Sequence, residues 1–351
     1  MVDVAVVSFA QAPNVRRDYD RNEVEILSPV LIDVRNKVGL EKSDIDFVCS
    51  GSSDYLAGMP FSFVGGLDGY GAWPPISESH VEMDGAWALY EAWVKLLTGE
   101  IETALVYAFG KSSLADDITA VLTLQQDPYL VAPLWPDAVS LAALQARAVL
   151  DSTGHTAEEM AAVAVRDRAN AKGNPNAQVS GDFSVEAIMA EPYVVSPLHK
   201  SDCPPISDGA CAVILAAGDR ARDLVEHPAW IRGIDHRVEP HQLGVRDLTV
   251  SESTRIAAEK ASASGAFDVA ELHAPFTHQS LILEDALDLG PDVTINPSGG
   301  ALAANPIMVA GLTRIGEAAQ RILDASAGRA LAHATSGACL QQNMVCVLEG
   351  S

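Results

Sequence analysis

One helix constrains this chain more than any other feature. Residues 80–100 read HVEMDGAWALYEAWVKLLTGE, the end of a strand feeding a long segment that is apolar almost all round. A helix apolar on every side has no solvent face and belongs inside a large domain. Trp87 and Trp93, six apart on it, read most simply as core. Short buried strands flank it: DVAVVSFA at 3–10, DIDFVCSGSS at 44–53 and ETALVYAFGKSS at 102–113. At 351 residues the chain exceeds one ordinary domain, so its length suggests two domains or one large duplicated unit.

Residues 114–195 read as a mostly helical excursion. Its helix AEEMAAVAVRDRANAK follows Thr156, an N-cap residue with Glu159 three positions on. Strand–helix alternation resumes after CPPISDGACAVILAAGDRA and continues to RALAHATSGACLQQNMVCVLEG. Alternation on both sides of a helical insertion predicts two similar α/β halves packed together, residues 1–200 and 201–351.

Apolar residues make up 48% of the chain and aromatic residues only 6%, which favours small-residue helices packed closely on sheets. The net charge of −24 repels phosphate backbones and argues against nucleic acid as a partner. Any polyanionic ligand would need a local basic lining that the average conceals. Five cysteines without a CxxC pair predict reduced thiols and a cytoplasmic setting. No run of 18 apolar residues predicts a membrane span.

Three segments in order carry a resemblance: SDGACAVILA (207–216), ELHAPFT (271–277) and NPSGGALAANP (296–306). Together they resemble the thiolase superfamily, in its lipid-transfer-protein or sterol-carrier-protein-x branch of bacterial steroid catabolism, over essentially the whole chain. The resemblance implies a five-layer αβαβα thiolase fold built of two βαβαβαββ halves, dimers, and acyl-CoA thioesters as ligands, with no other cofactor and no metal. It also implies a nucleophilic cysteine at the N-terminus of the buried helix, where the helix dipole lowers a thiol pKa. A Gly-His-Pro histidine, an Asn or His before it and a second cysteine complete the family's set.

This chain departs from that set. No cysteine lies between Cys49 and Cys203; the nucleophile position falls at about Glu82, followed by Asp84-Gly85. Gly-His-Pro has become Ala304-Asn305-Pro306, and the C-terminal cysteine position falls near Ser336-Gly337, with Cys339 two or three residues out of register. Only His273 is retained. A carboxylate cannot carry an acyl group from CoA without forming a reactive anhydride, so ordinary thiolase chemistry is not expected.

Three roles remain open. One is a thiolase-like subunit of a steroid acyl-CoA-processing complex, non-catalytic or half-catalytic beside a second thiolase-like chain. Another is a retro-aldolase on a steroid β-hydroxyacyl-CoA, working with a DUF35-type OB-fold partner. The third is an acyl-CoA or sterol carrier. The resemblance makes Glu82, Asp84, His273 and His333 the candidate acid–base residues and Asn305 a further catalytic candidate that cannot itself shuttle a proton; Ser298, Gly299 and Gly300 are the candidate ligand turn, because glycine lets the backbone approach a thioester. Each has a plainer reading: helix-end carboxylates for Glu82 and Asp84, a satisfied core histidine for His273, a helix cap for Asn305 and an exposed strand-end histidine for His333. Asp208-Gly209 reads as a tight turn. Lys111, Lys200 and Arg314 stand near the motifs, either as phosphate contacts or as solvated side chains.

Overall fold

The computed structural model describes residues 2–57, 60–115 and 117–350. The first half comprises β1 (Val4–Gln11), α1 (Glu23–Asn36), β2 (Phe47–Gly51), α2 (Asp54–Ala57), α3 (Phe63–Tyr70), β3 (Glu78–Val81), α4 (Gly85–Leu97) and β4 (Thr103–Lys111). An insertion carries α5 (Ile118–Leu124), α6 (Ala138–Ser152), α7 (Ala157–Asn170), α8 (Val185–Met189) and a small ribbon of β5 (Tyr193–Val195) and β6 (Leu198–His199). Next come β7 (Asp208–Ala217) and α9 (Gly218–Leu224). The second half follows as β8 (Ala229–Val238), α10 (Glu252–Lys260), β9 (Val269–Glu271), α11 (Thr277–Ala286), β10 (Thr294–Ile295), α12 (Gly300–Ala303), α13 (Ala310–Leu323), β11 (Arg329–Ser336) and β12 (Gln342–Glu349).

Apart from the β5–β6 ribbon, the strands form one continuous sheet in the order β10-β9-β11-β12-β8-β1-β7-β4-β2-β3. It divides into two equivalent five-strand units, since β1, β2, β3, β4 and β7 pair among themselves as β8, β9, β10, β11 and β12 do. In each unit two parallel pairings are followed by two antiparallel ones. The units join where Ala5 and Val6 face Trp230 and Ala229. The first unit is completed by β7, which lies beyond the boundary expected at residue 200: the insertion leaves the first half before its last strand, and that strand returns between β1 and β4.

Burial defines the layers. α1 covers the outer face of the first unit through Leu27, Leu31 and Val34, against Leu105, Tyr107 and Ile214. α10 and α11 cover the outer face of the second, against Leu331, Val345 and Val347. Between the units lie α4 and α13, whose Ala86, Leu89, Leu312 and Ile315 meet Val106 and Val213 on one side and Ala332, Met344 and Cys346 on the other. The arrangement is five-layered, α, β, α, β, α. It explains the all-round apolarity of α4, because a helix between two units of the sheet has little solvent face. Only its later turns open outward, with Tyr90 and Trp93 half-buried and Val94 41% exposed.

The insertion packs its own apolar cluster, Met160, Ala164, Ile188 and Leu198, against Phe276 and Leu302. α7 begins in the capping box expected of Thr156 and Glu159. Among the described residues no helix is long and apolar enough to cross a membrane.

The central layer tolerates little added volume. A Cβ on Gly311 would stand 2.6 Å from Asp84 Oδ1 and 2.7 Å from the Ala334 Cβ. Gly311→Ala is therefore expected to destabilise the fold by roughly 1–3 kcal/mol, the usual cost of overpacking a core. The check is a urea titration showing a lower midpoint at unchanged slope.

Candidate active-site cavity

The two central helices present their N-termini to one side chain. Asp84 caps α4, with its Oδ1 accepting the Ala86 N–H at 2.8 Å. The same carboxylate accepts from the first turn of α13, Leu312 N–H at 2.9 Å on Oδ1 and Gly311 N–H at 2.9 Å on Oδ2. Two helix ends of like partial charge thus meet over one buried anion, the group a helix N-terminus prefers.

Asp84 lines a cavity of about 380 Å³. His273 and Asn305 lie in the same wall, brought together from the end of β9 and the turn before α13. Their side chains touch, His273 Nε2 to Asn305 Oδ1 at 3.0 Å. The Thr335 backbone N–H points at His273 Nδ1 from 3.3 Å, so that nitrogen accepts and the proton sits on Nε2, which donates to Asn305. Burial holds the His273 pKa below its ordinary value, against the pull of nearby Asp84. The ring is therefore neutral at pH 7, and its hydrogen bond turns the Asn305 amide so that Nδ2 has no partner among the described residues. The Asn305 backbone N–H donates to Ser207 Oγ at 3.0 Å, fixing the turn.

The remaining walls are mixed: Thr119, Gln125, Gln126, Asp137 and Gln279 bring polar groups, with the Asp137 oxygens accepting from Ser140, and apolar side chains supply much of the rest. Ile118 and Leu122 of α5, Val139 and Ala142 of α6, Ile206, Phe276 and Met308 surround the space. Cys203 and Cys339 also line it, but burial raises their thiols to about 12 and about 11, and neither is a thiolate at neutral pH.

Other expected site residues lie elsewhere. Glu82 is exposed and outside the cavity, where its carboxylate accepts the Asp54 N–H at 2.6 Å and caps α2; the residue at the start of α4 is Asp84, two positions on. His333 is neither in the cavity nor at an exposed strand end. It is fully buried in β11, bonded to Asn343 Oδ1 at 3.0 Å, with its pKa lowered to about 3 by burial. Ser298 turns inward, its N–H and Oγ donating to Glu271 at 2.9 and 2.7 Å. Gly299, at φ +99°, buys packing rather than ligand access: a Cβ there would lie 2.6 Å from those of Ala171 and Ala303. Gly300 likewise abuts the Asn296 side chain. Arg314 is buried on Glu271 and Ser298, and Lys111 donates to the Arg21 carbonyl, so neither is free for a phosphate.

Sequence reasoning missed Thr335, Ser207 and the lining of α5 and α6. Ser207 stood in a quoted motif and Thr335 one residue before Ser336-Gly337, which were the available signals. Nothing in α5 marked it as a cavity wall.

The fold is the thiolase fold, and the relatives found for this chain are thiolase-superfamily proteins. An acetyl-CoA acetyltransferase of Methanothermobacter thermautotrophicus is 26% identical over 347 residues, 90% of each chain. A 17-hydroxy-3-oxo-4-pregnene-20-carboxyl-CoA lyase of Mycobacterium tuberculosis is 26% identical over 242 residues, covering 66% of this chain and 62% of that one. The solved Ltp2-ChsH2(DUF35) aldolase superposes with a TM-score of 0.81 at 20% identity, over 99% of this chain and 97% of that one. No protein-family model matches the chain.

Two outcomes test these assignments. Asp84→Ala strands three buried N–H groups, each costing about 1–3 kcal/mol when unpaired, whereas Asp84→Asn keeps one acceptor oxygen; chemical denaturation should rank wild type above Asn and Asn above Ala. The second concerns pH. His278 and His333 are buried neutral, both at about 3, so the unfolded chain takes up their protons below pH 6.5 and the native state does not. Their contribution is present above 6.5 and lost as pH falls toward 3. Relative to wild type, His278→Gln should regain about 2 kcal/mol between pH 7.5 and pH 5. An unchanged difference between the two proteins across that range would refute the assignment.

Proposed function

We propose that this chain is the thiolase-like subunit of a complex acting on steroid acyl-CoA thioesters, and that it supplies the enolate-stabilising half of a retro-aldol carbon–carbon cleavage. The observation that carries this reading is the Asn305 amide in the cavity wall, held at Oδ1 by a neutral His273 and left without a partner at Nδ2 among the described residues, in a cavity whose two cysteines burial keeps protonated.

Retro-aldol cleavage of a β-hydroxyacyl thioester needs no acyl-enzyme. The β-hydroxyl loses its proton, the Cα–Cβ bond breaks, a carbonyl compound departs, and the thioester becomes an enolate that is reprotonated at Cα. Negative charge develops on the thioester oxygen, and a donor already aimed there lowers the barrier. Asn305 Nδ2 is that donor. His273 is a positioning residue, since its Nδ1 is engaged by Thr335 and its Nε2–H by Asn305. Asp84 has both oxygens engaged by backbone N–H groups, and Asp137, the other carboxylate of the wall, has both engaged by Ser140, so the reading assigns the base for the β-hydroxyl to a second subunit.

Support comes from several sides. The lyase relative acts on a steroid carboxyl-CoA, and the structural neighbour is an aldolase assembled with a DUF35 protein. Two partners follow as part of the proposal: a DUF35-type protein, and a second thiolase-like chain meeting this one at the sheet edge β3. Phe61, Val64 and Trp73 stand exposed in the segment leading to β3, at 68, 46 and 84%.

A second reading is a subunit that only holds shape. It is favoured by the same engagement of Asp84 and by that of Asp137, the other carboxylate of the cavity wall, whose oxygens accept the Ser140 N–H at 2.9 Å and Oγ–H at 2.6 Å. Cleavage of a steroid β-hydroxyacyl-CoA by the co-expressed complex separates the two. On the lyase reading Asn305→Ala lowers kcat by about 10²–10³, the cost of one oxyanion donor, with KM little changed and Glu82→Gln silent. If Asn305→Ala is also silent, the chain is scaffold.

A further inference from the structure

We infer that the Ser112 hydroxyl is a ligand contact of the cavity, and that it takes the β-oxygen of a bound acyl group while Asn305 takes the thioester oxygen. The inference rests on the acyl-CoA reading above and names what the site recognises beyond the thioester. Buried polar atoms without a hydrogen-bond partner are rare, because each costs stability. Among the described residues they include the Tyr107 hydroxyl, His278 Nδ1 and Arg314 Nε, all outside the cavity wall, and Ser112 Oγ. Of these orphaned atoms only Ser112 Oγ belongs to a residue that lines the cavity. Ser112 is 2% exposed.

Its position is fixed from several sides. Ser112 directly follows β4 and opens a single 3₁₀ turn, closed by the Ala115 N–H on its carbonyl at 3.2 Å. Before it, Lys111 pairs with Asp208 across the sheet and sends its ammonium to the Arg21 carbonyl. After it, Ser113 gives its N–H, at 3.0 Å, and its Oγ–H to the Asp208 carboxylate. Two residues before Ser112, a Cβ on Gly110 would collide with the Ile307 carbonyl oxygen. The end of β4 therefore lies directly against the turn that carries Asn305.

Two groups with unused hydrogen-bonding capacity thus stand in one cavity wall, and their chemistry sorts the oxygens of a ligand. An amide nitrogen only donates, which suits a thioester oxygen as it gains charge. A serine hydroxyl donates or accepts, and its hydrogen rotates to suit. The β-oxygen of a β-hydroxyacyl group is a hydroxyl before cleavage and a carbonyl oxygen after it. Its partner must accept first and donate later, and of the two groups only Ser112 can do both. Ser112 forms no covalent bond and takes no net proton; the base still comes from the second subunit. The missing partner also sets the sign of a stability effect. A serine bonded within the protein weakens the fold when cut to alanine, and an unpaired one does not.

Calorimetric titration of the full chain with β-hydroxydecanoyl-pantetheine and decanoyl-pantetheine tests the contact. Wild type should bind the hydroxylated probe about three- to tenfold tighter, the usual worth of one neutral hydrogen bond. Ser112→Ala should bind both probes alike, with a urea midpoint no lower than that of wild type, whereas Asn305→Ala should keep the preference. A wild type without preference, a preference that survives in Ser112→Ala, or a lowered midpoint in that variant overturns the contact. Binding of neither probe by wild type overturns it together with the acyl-CoA reading. A Ser112-dependent preference without steroid cleavage by the co-expressed complex keeps the contact and removes the lyase reading instead.

Discussion

The structure turns on one carboxylate. α4 and α13 both begin at Asp84, and without an anion there two helix N-termini would face each other with partial positive charge and unpaired N–H groups. Much else follows from how close they come. Gly85 and Gly311 allow the approach, since a Cβ on either would collide with the opposite helix or its cap. The turn from Asn305 to Met308 is held against the start of α4 by the Gly85 N–H on the Met308 carbonyl at 2.9 Å. The cavity floor is thus the meeting point of the two central helices.

The same carboxylate sets the chemistry. A thiol at a helix N-terminus gains thiolate character from the field that holds Asp84 here. A capping acid spends that field on structure. The cavity keeps the architecture that presents a reactive group yet presents an amide, and burial keeps both cysteines of its wall protonated. His273, neutral and bonded on both nitrogens, holds Asn305 in place. Such a site can stabilise charge that develops on a bound molecule more readily than it can start a reaction by taking a proton.

The layered fold was legible because its signals are local and periodic. The all-round apolarity of 85–97 demanded a buried helix, and Thr156 with Glu159 marked the start of α7. The site was less legible, for physical reasons. Sequence cannot tell which of two nearby acids enters a helix cap, and the choice of Asp84 over Glu82 depends on where the first turn of α13 sits. Ser298-Gly299-Gly300 looked ligand-facing because a glycine that lets a ligand approach is chemically the same as one that lets Ala171 approach. His333 looked like a strand end, but β11 runs on through it and Asn343 on β12 supplies its partner. The half-site boundary slipped because nothing local announces that β7 returns to the first unit.

The distribution of charge and of proton-transfer groups leads to one further step. A body of net charge −24 is poorly suited to a polyanionic thioester, and its deeper cations are occupied: Arg314 by Glu271, Arg166 by Asp167 and Glu284. What the chain offers instead is an amide in the cavity wall and a sheet edge at β3. On the proposed reading these are the parts of a substrate-holding subunit whose proton acceptor arrives with a partner. Dividing the labour this way removes a cost. A carboxylate base buried in direct contact with Asp84 would place two like charges side by side, which raises the pKa of one and favours its protonated form. A base delivered from a second chain meets the substrate only in the assembled complex, so the lone subunit can keep both carboxylates of its cavity wall, Asp84 and Asp137, in their helix-capping hydrogen bonds.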